Sequence, residues 1–309
     1  MIVTVTPNPS IDRTVDIDGL QRGGLIRARR STSEAAGKGL NVSRALVGQG
    51  SETMAVLPMA RQTEATYLAL LADAVPIAAV PVSGAVRVNI SLVEPDGTVT
   101  KVNEPGPHME AADVEALLAA VRKAPAADWI VGCGSLPPGA PSDFYGRLLA
   151  SGSAGGRVAV DSSGDALGAA ARAGVALVKP NVTELEMLAG RLLATLGDAV
   201  DAACELVASG IGGALVSLGS DGAFYVDGGG TVRHAEARID DAANTVGAGD
   251  ALLAGFLAAG ANADALPEAI AWSVAAVRSP GTRMRPVTEA DRAAVVVHDR
   301  VDRHRRLRS

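Results

Sequence analysis

IVTVTPNPSID, residues 2–12, begins with five β-branched residues and then breaks into two prolines around an asparagine, with an acid three residues further on. Five β-branched residues in a row predict a strand. The residues after that strand decide the fold. A dinucleotide-binding α/β protein places a glycine fingerprint directly after its first strand, and TPNPSID stands there instead. A Rossmann oxidoreductase is therefore disfavoured, while an α/β sheet with polar loops at its strand ends remains.

Further short apolar runs at 53–57, 129–133, 157–161, 175–179 and 213–218 alternate with helical patterns near 37–49, 110–123, 142–150, 183–190, 198–209, 247–260 and 266–277. Several of the runs show little polar alternation, as strands covered on both faces do. The pattern predicts an α/β, three-layer αβα arrangement around a mostly parallel sheet. VRVNISLVEPDGTVTKVN (86–103) breaks the rhythm: it alternates around a Pro-Asp-Gly turn and predicts an antiparallel hairpin. With stretches near 13–18 and 27–34 it would form a small second sheet with one open face. Such a face needs a ligand or a second subunit to cover it. No repeat or low-complexity linker divides residues 1–309, so one domain is expected.

The net charge of −6, a pI near 5.3 and 3% aromatic residues leave no electrostatic or stacking footprint for nucleic acid. The basic stretch RVDRHRRLRS (300–309) is the exception, and its composition suggests a solvated tail. The first residues lack a signal-peptide pattern and the apolar run 251–263 is too short for a bilayer, so a soluble cytoplasmic protein is expected. Cys133 and Cys204 lie far apart in apolar patterns, which suggests buried fillers and neither a disulfide nor a metal site.

Several catalytic templates fail. AAGKGLN (35–41) has a Gly-Lys pair but no hydroxyl after Lys38, and GAGDAL lacks the third glycine of the dinucleotide fingerprint. No kinase H-R-D, H-E-x-x-H or G-x-S-x-G occurs. There remains a set of polar loops, TPNPSID, AAGKGLN, GCGSLPPG (132–139), KPNVTE (179–184), SLGSDG (217–222) and NTVGAGD (244–250), each at or near the end of a predicted element. In an open parallel sheet, ligands bind outside the carboxyl ends of strands, so these loops should converge. Bare amides of Gly247, Ala248 and Gly249 at a helix start would form an anion hole, and Asp250 beside them would accept the proton of an attacking hydroxyl. One carboxylate and one anion hole, with Mg²⁺, suffice for phosphoryl transfer.

These motifs, in this order and with the late SPGT (279–282), resemble the PfkB group of ribokinase-like sugar kinases, in particular the branch acting on phosphorylated ketohexoses. The resemblance spans nearly the whole chain. It implies a three-layer αβα fold with a small β lid that often forms a dimer interface, with ATP and Mg²⁺ as cofactors. It implies Asp250 as catalytic base and Thr245 to Gly249 as anion hole. Asp12 would grip sugar hydroxyls, and Gly37, Lys38, Gly39 and Asn41 would line the sugar site, Lys38 being free to reach a phosphate. Arg87, Ser135 and, by a looser alignment, Arg27 would contact the sugar phosphate. Lys179 and Asn181 would lie near the ATP phosphates, with Glu184 acting on the metal through water. Ser217 and Gly219 would touch the nucleotide, and Ala275, Ser279 and Gly281 would lie near the adenine. Two departures stand out: Ala36 replaces a glycine before Gly37, and Asn244 replaces an aspartate.

Each residue also has an ordinary reading. Asn181 can cap a helix, Glu184 can complement a helix dipole, Ser135 can serve a turn, and Arg87 can be a solvated strand residue. The set carries the case. The expected reaction is phosphorylation of fructose 1-phosphate, with fructose 6-phosphate or tagatose 6-phosphate as the alternative; a noncatalytic sugar-phosphate sensor is the alternative from another class.

Overall fold

The computed structural model describes residues 1–71, 75–151, 156–279, 281 and 283–308. Its strands are β1 (Ile2–Val5), β2 (Ser10–Asp16), β3 (Arg30–Ala36), β4 (Thr53–Ala60), β5 (Ile77–Val82), β6 (Arg87–Val93), β7 (Val99–Asn103), β8 (Trp129–Cys133), β9 (Arg157–Asp161), β10 (Leu177–Val178), β11 (Gly213–Ser217), β12 (Ala223–Asp227), β13 (Val232–Ala237) and β14 (Val295–His298). Ten of them form one sheet in the order β14-β13-β12-β11-β10-β9-β8-β1-β4-β5. It is parallel from β11 to β5, with an antiparallel extension from β12 to β14.

The core explains the missing polar alternation. Ile130 of β8 faces one apolar cluster while its neighbours Trp129 and Val131 face another on the opposite side of the sheet. Helices cover both faces. Ala111–Lys123 presents Val114, Leu117, Leu118 and Val121 to the first cluster at helical spacing, and a capping box between Glu110 and Asp113 fixes where it starts. Ala248–Ala258 and Leu266–Val277 pack together on the other face. The expected strand at 175–179 shortens to Leu177–Val178, with a single parallel bridge between Asn181 and Ser217 beyond Pro180.

A second sheet, β3-β2-β6-β7, stands at the rim. The predicted hairpin is present as β6 and β7, turning through Glu94 to Thr98. The base of this lid, where Ser10 pairs with Ala36 and with Arg87, adjoins the end of β1. Val99 and Val102 of β7 are exposed. Among the described residues no helix is long and apolar enough to cross a membrane.

Within the basic stretch, residues 303–307 do not behave as a solvated tail. Leu196 and Gly197 donate backbone hydrogen bonds to Arg305 and Arg303, and Leu307 donates to Ala194. Two of its charges are spent on a buried acid, Arg305 and Arg308 both being bound to Asp221, while Arg303 pairs with the exposed Asp201.

Candidate active site

The expected loops do gather at the carboxyl ends of β1, β8, β9, β10 and β11, and the geometry is built from the chain's tightest turns. Gly37 and Gly39 lie against Thr6 so closely that a Cβ on either would sit 2.7 or 2.5 Å from the threonine side chain. The close approach exists at these positions although Ala36 precedes them. It places Lys38 and Asn41 at the start of the helix Lys38–Gly48, directed toward the helix Ala248–Ala258.

That second helix begins at Gly247, whose φ of +81° is the left-handed conformation that glycine adopts without strain. Its first-turn amides have no intrahelical acceptor, the arrangement that the expected anion hole requires. Asn244 accepts a hydrogen bond from the Val246 amide at 3.0 Å, so its side-chain oxygen shapes the loop where an aspartate was expected. Asp250 is buried in the first turn, and Asn41 donates a 2.9 Å hydrogen bond from Nδ2 to its Oδ2.

Beside it lies a charge cluster that was not legible in the sequence. Asp161, at the end of β9 and fully buried, takes Lys38 Nζ on one carboxylate oxygen at 2.9 Å and Lys179 Nζ on the other at 3.1 Å. Lys38 is thus not free: it is held by a buried acid. Burial pushes Asp161 upward, but Lys179 and Lys38 together hold it below the usual carboxylate range. Asp161 in turn raises Lys38. Burial first, and the Asp161 charge second, push Asp250 up to about 6, with Lys38, Asn41 and Lys179 opposing. Lys179 also faces the anion site, its Nζ lying 3.4 Å from where a Cβ on Gly249 would stand.

Two clefts flank this cluster. On the lid side, Arg87, Pro105, Ser135, Gly139, Ser163 and Asp165 line one of them. Arg87 donates to the Glu104 carbonyl at 3.3 Å, and its buried Nε has no partner among the described residues. Asn8 Nδ2 donates to Pro105 O and to Ser135 Oγ, and Asp12 accepts from Ser10 and Asn89. The remaining amide oxygens, Asn8 Oδ1 and Asn89 Oδ1, are buried without partners. A run of unpaired buried polar atoms is costly unless a polar ligand meets it. Asn8 and Asn89 sit inside the motifs TPNPSID and VRVN, yet neither carries a sequence signal of its own.

On the other side, Asn181, Ser217, Gly219, Thr245, Ala248 and Gly249 line a cleft of about 730 Å³ floored by Leu252, Ile270, Val274 and Val277. Small-molecule sites typically span about 300–1,000 Å³. Asn181 caps the helix Val182–Ala189, and Glu184 answers by accepting from the Asn181 amide through Oε2.

Four expected residues stand elsewhere. Ala275 is fully buried, while Ser273 and Val274 line the cleft, because one residue along a helix turns the side chain to another face. Ser279 is buried and tied, donating to Ala275 O and accepting from the Arg285 amide. Gly281 is exposed and is not part of the cleft lining, and Pro280 and Thr282 of the same motif lie outside the described residues. Arg27 is exposed beyond the Asp16–Arg30 pair, at the far end of the β2–β3 hairpin from the site.

A rim of polar loops on a parallel sheet, a four-stranded lid and a helix-start anion site beside a buried carboxylate define a ribokinase-like sugar kinase. The chain belongs to the pfkB family of carbohydrate kinases, whose family model matches residues 5–284. A 1-phosphofructokinase of Rhodobacter capsulatus is 38% identical over 301 residues, covering 92% of this chain and 93% of that protein. One from Haloferax volcanii is 37% identical over 290 residues, covering 92% and 93%. The crystal structure of phosphofructokinase-2 from Escherichia coli in complex with fructose-6-phosphate superposes with a TM-score of 0.83 at 31% identity, covering 94% of this chain and 96% of that one.

Proposed function

We propose that the chain transfers the γ-phosphoryl group of ATP to the primary hydroxyl of a ketohexose phosphate, with fructose 1-phosphate as substrate and fructose 1,6-bisphosphate as product. The observation that carries this reading is the position of Asp250. It follows Gly249 of the nucleotide cleft directly in the chain, is held by Asn41 and feels the charges of Lys38 and Lys179.

In this mechanism Asp250 Oδ accepts the proton of the substrate hydroxyl as its oxygen bonds to the γ-phosphorus, and the bond to the bridging oxygen breaks to release ADP. The amides of Gly247, Ala248 and Gly249, with Lys179, neutralise charge on the migrating group. Arg87 and Ser135 hold the phosphate already on the sugar, and Asp12, Asn8 and Asn89 its hydroxyls. Gly37 and Gly39 let the sugar lie against the backbone. Asn181, Ser217, Gly219 and Thr245 take the nucleotide.

The donor set fits Mg²⁺ bound chiefly through phosphate oxygens and water. Among the described residues no three His, Cys, Asp or Glu side chains cluster as a metal cage, and Glu184 keeps Oε1 for a water while Oε2 serves the Asn181 amide. When bound, the ion would shield the phosphate charges of the nucleotide. We infer that the reaction runs in the cytoplasm, where ATP is supplied.

The base is competent only when ionised, so activity should follow the Asp250 carboxylate. With its pKa at about 6, kcat should be level above pH 7 and fall about tenfold per unit at pH values well below 6. A kcat–pH profile with no inflection between pH 5 and 7 would contradict it.

We infer further that two copies pair through their lids, since the exposed Val102 shares a face of the lid sheet with the half-buried Ile90 and Leu92, an apolar surface with no cover in one copy. Light scattering should give twice 31.1 kDa at micromolar concentration. A single 31.1 kDa species with and without ligand would oppose it. Substrate choice is tested by ADP release from fructose 1-phosphate, fructose 6-phosphate, tagatose 6-phosphate, fructose and ribose. The highest kcat/KM should belong to fructose 1-phosphate, and a preference for an unphosphorylated sugar would overturn the assignment.

A further inference from the structure

The nucleotide cleft has a wall supplied by the basic stretch whose composition suggests a solvated tail. Its rim is the short turn Gly219–Asp221, where Gly219 and Ser220 face the cleft and Asp221 points into the protein, fully buried. Two arginines converge on that acid. Arg305 Nη2 donates to Asp221 Oδ1 and to Glu236 Oε2, each at 2.6 Å. Arg308 donates from its backbone amide to Oδ2 and from Nε to Oδ1, each at 2.7 Å, and from Nη2 to the Ser220 carbonyl at 2.8 Å. His234 Nε2 meets the Asp221 carbonyl at 2.9 Å from inside the sheet. Gly197 permits the docking, since a Cβ there would lie 2.6 Å from Arg303 O.

The two arginines are not equivalent. Arg305 bridges two acids away from the cleft and does not line it. Arg308 lines the cleft, and it alone of the pair grips the backbone of a residue that lines it too. Without the Arg308 side chain, Asp221 keeps both Arg305 and the backbone amide of residue 308, so the fold retains its charge balance while the rim turn loses its outer tether.

We propose that Arg308, carried to the cleft by the docked segment, completes its outer wall and is a positioning residue for the bound nucleotide, acting through the Gly219–Asp221 turn. The inference rests on the assignment of that cleft to ATP. A tether made on the rim acts on binding and is not altered as the phosphoryl group moves. Its loss therefore changes nucleotide KM and leaves kcat in place.

The test uses the full chain as wild type, Arg308→Ala, Arg308→Lys and Arg303→Ala, the last removing an exposed pair with Asp201 outside the cleft. ADP binding is measured by calorimetry, and KM for ATP and for the sugar phosphate by steady-state kinetics. A partly exposed charge-assisted contact is worth about five- to tenfold in affinity. Arg308→Ala should show that rise in ADP Kd and ATP KM, with kcat and sugar-phosphate KM within about twofold of wild type. Arg308→Lys should fall between the two, because an ammonium reaches Asp221 or Ser220 but not both as a fork does. Arg303→Ala should match wild type. Unchanged ADP affinity in Arg308→Ala, or an equal loss in Arg303→Ala, would overturn the inference alone. Wild type failing to bind ADP would overturn the cleft assignment and the inference with it.

Discussion

Asp250→Asn is expected to lower kcat by about 10²–10⁴-fold while ADP and sugar phosphate still bind, because the amide keeps the shape of the side chain but cannot take a proton. The geometry makes the test clean. Asn41 donates to Asp250 Oδ2, and an asparagine carbonyl accepts the same bond, so the first turn of the helix Ala248–Ala258 should stay in place. Stability should move the opposite way to activity. The folded-state pKa of about 6 lies above the ordinary 3.8, so the protonated carboxyl favours the fold below about pH 4. That contribution is lost as pH rises through about 6. At pH 8 the wild type carries a buried charge that the variant lacks, and Asp250→Asn should be more stable by up to roughly 2–3 kcal/mol. Chemical denaturation at pH 8 and pH 4 checks the sign: the gain should shrink at the lower pH. A variant retaining more than half of wild-type kcat would remove Asp250 from the role of base.

Arg87→Ala should raise KM for the sugar phosphate by about one to two decades and leave KM for ATP nearly unchanged. The guanidinium is half-buried, has an unpartnered Nε and borders the same cleft as Ser135, whereas the residues lining the nucleotide cleft come from the second half of the chain. Losing a charge-assisted contact to phosphate costs about 1.5–3 kcal/mol. Burial lowers the arginine's pKa and Asp12 raises it, so the positive charge that phosphate requires is already offset in part by a near acid. Activity on free fructose, which has no phosphate to hold, should hardly change. An equal loss of kcat/KM on fructose phosphate and fructose would make Arg87 a structural lid residue.

The parts of the fold legible in the sequence are those whose physics is local. β1, β4, β8, β9 and β11 are apolar runs because helices cover both faces, and the hairpin β6–β7 announces itself by its Pro-Asp-Gly turn. β5 was not legible, since Pro81 interrupts it; at the sheet edge a proline is tolerated. The helix Gly164–Arg172 has a distinct buried face, but it is made of Ala166, Ala170 and Ala171 with Leu167 alone as a large side chain, which reads weakly as a core stripe. Among site residues, those on glycine turns were legible because the backbone itself demands glycine at Gly37, Gly39 and Gly247. Asp161 was not, for its role is tertiary. Only the folded sheet brings the end of β9 between lysines from positions 38 and 179. Helix phase turns Ala275 away from the cleft, Arg27 stands at the far end of the hairpin, and the docking of the basic stretch was hidden because its counter-charges lie more than sixty residues away in sequence, at Asp221 and Glu236.

The central claim is that this cleft phosphorylates the 6-hydroxyl of a ketohexose 1-phosphate, and identifying the product tests it most directly. Purified wild type, ATP, Mg²⁺ and fructose 1-phosphate should give, by ³¹P and ¹³C NMR, one new phosphomonoester whose carbon–phosphorus couplings lie at C6, with ADP formed in equal amount. ADP appearing without a second phosphate on the sugar, or the new phosphate on a carbon other than C6, would contradict the account.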